Sequence, residues 1–180
     1  YRLAPEHQYP AALDDAMASY KELLQFTDAK KIMIAGDSAG GGLALACMQR
    51  IVEEGLPIPG CGALLSPGTD LTGSGESMRG FQDEYMQDNK LYCGDYPSDT
   101  PGISPLFGDM VGLPPLLIQV ASDEPLLDDS TRVAKKAESV QVPVDMQIID
   151  DVFHVFQIFT HLPESRQALE SIGTFFKRHI

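Results

Sequence analysis

Apolar residues along the chain follow two alternating spacings. Between 10 and 26, Ala12, Leu13, Ala16, Tyr20, Leu23 and Leu24 recur at helical intervals, which predicts an amphipathic helix. Lys31 to Ala35 is a short apolar run of the length of a buried strand. It leads directly into Gly36-Asp37-Ser38-Ala39-Gly40, and an apolar helix is predicted from about Gly41 to Val52. Gly62 to Leu65 reads as a second strand, ended by Ser66-Pro67-Gly68. Residues 73–112 are polar and broken by Gly and Pro, so a helix is expected near 80–91 and loops elsewhere. Pro114-Pro115 precedes a third strand, Leu116 to Ala121, and a helix follows at about 127–139. Val144 to Ile149 alternates as a fourth strand, and an amphipathic helix closes the chain at 163–178.

Strands alternating with helices imply an α/β fold, with a parallel sheet covered on both faces. Such sheets carry their chemistry at the carboxyl ends of the strands. Three of the four expected strand ends here hold candidate groups. No repeat, low-complexity tract or linker divides the chain, so residues 1–180 read as one domain or a large piece of one.

Composition removes several function classes. Thirteen basic and 26 acidic residues give a net charge of −13. That charge opposes capture of nucleic acid or of an anionic membrane. No apolar stretch approaches the roughly 18 residues of a membrane span. Three widely spaced cysteines (Cys47, Cys61, Cys93) match neither a disulfide framework nor a zinc site. They suit a reducing compartment, and no basic-then-apolar leader stands at the start. The expectation is a cytoplasmic protein without metal or cofactor. The chain begins at Tyr1 without a methionine and reads as a fragment or a processed product.

The strongest chemical signal is Gly36-Asp37-Ser38-Ala39-Gly40, between a strand and a helix. A serine on so sharp a turn is strained and exposed above the sheet. The tightness calls for residues without bulk at Gly36 and Gly40. The following helix turns its N-terminus toward the site, so the Ala39 N–H is placed to hold an oxyanion. A Gly-x-Ser-x-Gly also arises by chance. Its setting, and two further glycines (Gly41, Gly42) in the first helical turn, favour close packing or function. A phosphate cradle is excluded by pattern, because neither G-x-G-x-x-G nor Gly-Lys-Ser/Thr is present.

Ser38 needs a base. Of His7, His154, His161 and His179, only His154 lies just past an expected strand end, the fourth. An orienting carboxylate should follow the third strand, where Ser122-Asp123-Glu124-Pro125-Leu126-Leu127-Asp128-Asp129 stands. Asp128 and Asp129 fit the first turn of the next helix. Asp123 and Glu124 remain, and adjacent residues leaving a strand point opposite ways. Elsewhere, Arg2, Glu6 and Asp14 read as ties between the first helix and the sheet, and the seven methionines as gap fillers in the core.

Taken together, these residues resemble the hormone-sensitive-lipase family of α/β-hydrolase esterases. The resemblance is carried by Tyr1-Arg2-Leu3-Ala4-Pro5-Glu6-His7, Tyr9 to Asp15, Gly36-Asp37-Ser38-Ala39-Gly40-Gly41, Leu65-Ser66-Pro67 with Asp70-Leu71, Ser104-Pro105-Leu106-Phe107, Leu113-Pro114-Pro115 and Phe153-His154-Val155-Phe156. It implies hydrolysis of small carboxylic esters, without a cofactor, through an acyl-enzyme on Ser38 with His154 as base. The family's acid is usually an Asp in an acid-Pro-Leu-x-Asp pattern. The register Glu124-Pro125-Leu126-Leu127-Asp128 puts a Glu there, with Asp123 as the alternative acid.

The family also places a His-Gly-Gly motif, further strands and a cap upstream of the Tyr-Arg-Leu-Ala-Pro-Glu-His segment. The 180 residues contain none of these, so the resemblance implies a partial α/β-hydrolase fold. An oxyanion site lacking a donor loses roughly a hundredfold in rate. The expectation is therefore a chain of low stability and weak activity by itself. The alternatives are an inert truncated product and a ligand-binding, receptor-like relative. The latter lacks the catalytic histidine in plant gibberellin receptors, whereas His154 is present here. The implied partner is a small-molecule ester.

Overall fold

The structure is a computed structural model and describes residues 1–80 and 89–180. Its sheet consists of β1 (Met33–Asp37), β2 (Cys61–Leu65), β3 (Leu116–Ala121) and β4 (Val144–Ile149). The strands lie in the order β1-β2-β3-β4 and all pair in parallel. Met33 lies opposite Cys61, Gly62 opposite Leu116, and Leu116 opposite Val144. This register brings the four carboxyl ends to one edge of the sheet.

Side chains alternate across the strands, and helices cover both faces as expected. Leu64, Leu116 and Ile118 pack beneath α2 (Ala39–Glu53) and α3 (Leu127–Ser139), against Leu45, Met48, Val133 and Ala137. On the opposite face, Cys61, Ala63 and Leu117 meet Phe175 of α4 (Pro163–His179). β2 and β3 are almost wholly buried. Each large aliphatic side chain buried here contributes about 1.5–3 kcal/mol. Met17, Met48, Met78 and Met110 are buried, as the gap-filling reading predicts.

α1 (Ala11–Leu23) packs on α2 rather than lying between α2 and the sheet: Leu13, Met17 and Tyr20 meet Ala46, Cys47 and Ile51. The expected polar ties are corrected accordingly. Arg2 pairs with Asp15 at 2.8 Å, Asp14 pairs with Arg50 of α2 at 2.6 Å, and Glu6 is exposed. Asp14 therefore joins helix to helix, because α1 is stacked outside α2.

Two local expectations shift, and a third falls largely outside the described residues. β1 begins at Met33, two residues later than the apolar run suggests. Residues Ala29–Lys31 form a 3₁₀ turn instead, capped by the Asp28 side chain, which accepts the Lys30 N–H at 2.9 Å. β1 is half-exposed rather than buried, because among the described residues it pairs on one side only, with β2. Of the helix expected near 80–91, positions 81–88 lie outside the described residues, and residues 89–93 are helical.

Candidate active site

β1 ends in the turn that carries Ser38. Ser38 has φ 51° and ψ −122° and caps α2. This is a strained conformation for a residue with a Cβ. The chain holds it from both sides. The Ser38 N–H donates to the Leu65 carbonyl at 2.9 Å, and the Ser38 carbonyl accepts the Gly68 N–H at 2.9 Å. The end of β2 thus clamps the turn at the end of β1.

The glycines around Ser38 do different things. A Cβ on Gly36 would overlap the Gly40 carbonyl, so bulk is excluded there. A Cβ on Gly40 would meet nothing within 4 Å. The expectation that both places exclude side chains is therefore corrected: only Gly36 is sterically forced, because the Gly40 backbone occupies the space its side chain would need. Gly41 and Gly42 are explained by packing, since a Cβ on either would run into Pro67 or the Gly68 carbonyl.

His154 follows β4 in a loop that holds Asp151 at φ 59° and Val155 at φ 53°. Its Nε2 lies 2.9 Å from Ser38 Oγ, and its Nδ1 lies 2.8 Å from Glu124 Oε1. A carboxylate at Nδ1 requires the proton on that nitrogen, which leaves Nε2 as an acceptor for the Ser38 hydroxyl. The Glu124 carboxylate is buried, with only 1% of its side chain exposed. Its second oxygen accepts the Ala121 N–H at 2.8 Å and the Ser66 hydroxyl at 2.8 Å. The neighbouring Asp123 is exposed. Among the other histidines, His7 and His161 are exposed, His161 stacks edge-on against Phe159, and His179 lies against Phe175.

Asp128 and Asp129 do lie in the first turn of α3, yet dipole compensation is only part of what they do. Asp128 accepts the Ser77 N–H at 3.0 Å, while the Ser77 hydroxyl receives the Asp128 N–H at 3.0 Å. Asp129 accepts the N–H groups of Thr69 and Asp70 at 2.6 and 2.8 Å. Burial pushes the Asp129 carboxyl up to about 6, although these two donors oppose the shift. Asp70 in turn binds Arg132, Thr72 and Ser74. Burial raises the Asp70 carboxyl, but Ser74, Thr72 and Arg132 together hold it below its ordinary value. This network braces the loop after β2. Sequence spacing carried no sign of it, because its members are about 60 positions apart.

Ala39 is the first residue of α2, and an N–H at that position has no acceptor within the helix. It borders a cavity of about 370 Å³ lined by Ser38, Leu71, Tyr92, Ile103 and Leu126 among others. The arrangement combines a hydroxyl, an imidazole of fixed tautomer, a buried carboxylate and a free helix N-terminus beside an apolar hollow. It is able to move a proton from Ser38 to His154 and to hold negative charge close by.

Residues 1–158 match a family with the alpha/beta hydrolase fold. An esterase of Acinetobacter venetianus is 41% identical, over 97% of this chain and 61% of that protein. An acetyl-hydrolase of Streptomyces hygroscopicus is 37% identical, over 98% of this chain and 62% of that protein. Among solved structures, an esterase from the bacterial hormone-sensitive lipase family superposes with a TM-score of 0.97 at 39% identity. That superposition covers 100% of this chain and 64% of the esterase. The chain spans about three fifths of the length of these two curated relatives.

Proposed function

The chain belongs to the α/β-hydrolase fold family, and from that premise we propose that it performs carboxylic ester hydrolysis on small acyl esters, with Ser38 as nucleophile. The observation that carries this reading is the continuous hydrogen-bonded path from Ser38 Oγ through His154 to Glu124. The esterase and acetyl-hydrolase relatives support the reaction class.

In the proposed mechanism, Ser38 Oγ attacks the acyl carbon as His154 Nε2 takes its proton. Glu124 keeps the Nδ1–H in place and stabilises the imidazolium. The Ala39 N–H donates to the oxygen that becomes negative. His154 then protonates the departing alcohol, leaving the acyl group on Ser38. Water repeats the sequence, with His154 again as base, and releases the acid. The apolar hollow beside Ser38 suits the hydrocarbon part of an ester. No described helix is long and apolar enough to cross a membrane. Three free, buried thiols fit a cytoplasmic setting. Residues 1–180 supply the nucleophile, base and acid of one catalytic domain in this reading.

The test is covalent labelling with a fluorophosphonate probe, read by peptide mass spectrometry with Ser38→Ala as control. The expected result is one label, on Ser38, abolished in the variant and suppressed in His154→Ala. A folded wild-type chain, judged by circular dichroism, that takes no label would overturn the reading.

A further inference from the structure

We propose that Ser66 is a positioning residue for this catalytic relay, an inference that rests on the Ser38–His154–Glu124 reading above. Ser66 follows β2 and is completely buried. Its backbone sits at φ 44°, in the left-handed region. Glycine adopts that conformation without strain, whereas a residue with a Cβ does so at a cost. A serine here is accounted for by its hydroxyl. The hydroxyl donates to Glu124 Oε2 at 2.8 Å and accepts the Val155 N–H at 3.2 Å.

One oxygen therefore links the loop after β3, which carries Glu124, to the loop after β4, which carries His154. The Ser66 backbone fixes that oxygen in space, because its own N–H donates to the Gln119 carbonyl of β3 at 2.7 Å. Both partners need such a fixed point. Glu124 has three side-chain torsions, so its carboxylate has more freedom than a shorter acid would. With Oε2 held by Ser66 and Ala121, Oε1 is left facing His154 Nδ1. Val155 is β-branched, yet it stands at φ 53° and ψ 38°, a conformation such residues rarely adopt. Its bond to Ser66 holds the residue next to His154 in that conformation. Without the hydroxyl, the carboxylate is free to turn and the His154 loop to relax. A small displacement of a catalytic group costs up to roughly a hundredfold in rate.

The test uses Ser66→Gly, which removes the hydroxyl and suits the left-handed backbone, and Ser66→Ala, which removes the hydroxyl alone. Both are measured in the full chain for kcat and KM on a chromogenic acetyl ester, with circular dichroism and melting to confirm the fold. The expected result is a kcat roughly 10- to 100-fold lower, with KM within about twofold. The decisive comparison is a double-mutant cycle with Glu124→Gln. Because part of its effect runs through Glu124, Ser66→Gly lowers kcat by a clearly smaller factor in the Glu124→Gln background than in the wild-type background. Equal losses in both backgrounds, or a wild-type kcat in Ser66→Gly, would overturn the proposal. So would loss of the fold in both variants, which assigns the hydroxyl to architecture. The parent reading fails separately: His154→Ala would then turn the ester over as fast as wild type, whatever Ser66 does.

Discussion

His154 Nε2 stands 2.9 Å from Ser38 Oγ, although 116 positions separate the two residues along the chain. Two parallel strands achieve this. Ser38 leaves the end of β1 and His154 leaves the loop after β4, at the same edge of one sheet. Glu124, between them at the end of β3, contacts the far nitrogen of the imidazole. The geometry separates the two neighbouring acids. Glu124→Gln should lower kcat/KM for an acetyl ester by roughly 10²- to 10⁴-fold, since an amide there favours the wrong imidazole tautomer. Asp123→Asn, at an exposed position, should stay within about twofold. Steady-state kinetics on the two variants decides, and a larger loss in Asp123→Asn would reverse the assignment.

The asymmetry of the turn around Ser38 leads to a second expectation. Gly36→Ala places a methyl group on the Gly40 carbonyl. It should strongly destabilise the chain or shift Ser38 enough to abolish probe labelling. Gly40→Ala meets open space at a helical position, where alanine is favoured over glycine by up to about 1 kcal/mol. Its melting temperature should match or exceed that of the wild type.

Asp129 gives stability a pH signature. Its carboxyl is raised from an ordinary 3.8 to about 6, so the folded state binds its proton more tightly than the unfolded state. Its stabilising contribution is therefore complete below about pH 4 and is lost as the pH rises through 6. The loss amounts to at most about 3 kcal/mol. Asp129→Asn keeps an acceptor for the Thr69 and Asp70 N–H groups without a titratable proton. The stability of this variant relative to wild type should rise between pH 4 and 6 and level off above. Asp129→Ala strands two buried donors and should cost about 2 kcal/mol or more at every pH. Urea unfolding at pH 4, 5, 6 and 7 reads both.

The three cysteines are free and buried. Burial pushes the Cys47 thiol up to about 11 and raises those of Cys61 and Cys93. Because the thiolate is the reactive form, an aromatic disulfide reagent should modify none of them promptly at pH 8 in the folded chain. It should titrate all three in denaturant. Fast reaction of one thiol under native conditions would mean that its part of the core opens.

Much of this molecule is written in local pattern. The bounds of β3, α3 and β4 coincide with the apolar spacing, because period 2 and period 3.6 arise from backbone geometry that each segment carries by itself. The alternation of these elements also implied the parallel sheet, and the Gly-x-Ser-x-Gly turn marked Ser38 through its place between a strand and a helix. Chain order drew attention to His154 and to the pair Asp123 and Glu124. Tertiary structure decided what depends on distance through space. It set Glu124 rather than Asp123 against the imidazole and freed Gly40 from the steric demand on Gly36. It also turned Asp129 toward two backbone donors on the loop after β2 and brought Ser66 between the loops that carry Glu124 and His154. Periodicity reports which face of an element is apolar. It cannot report which polar groups, dozens of residues apart, will share a buried site. There each donor must find an acceptor, and only the packed sheet determines which one is in reach.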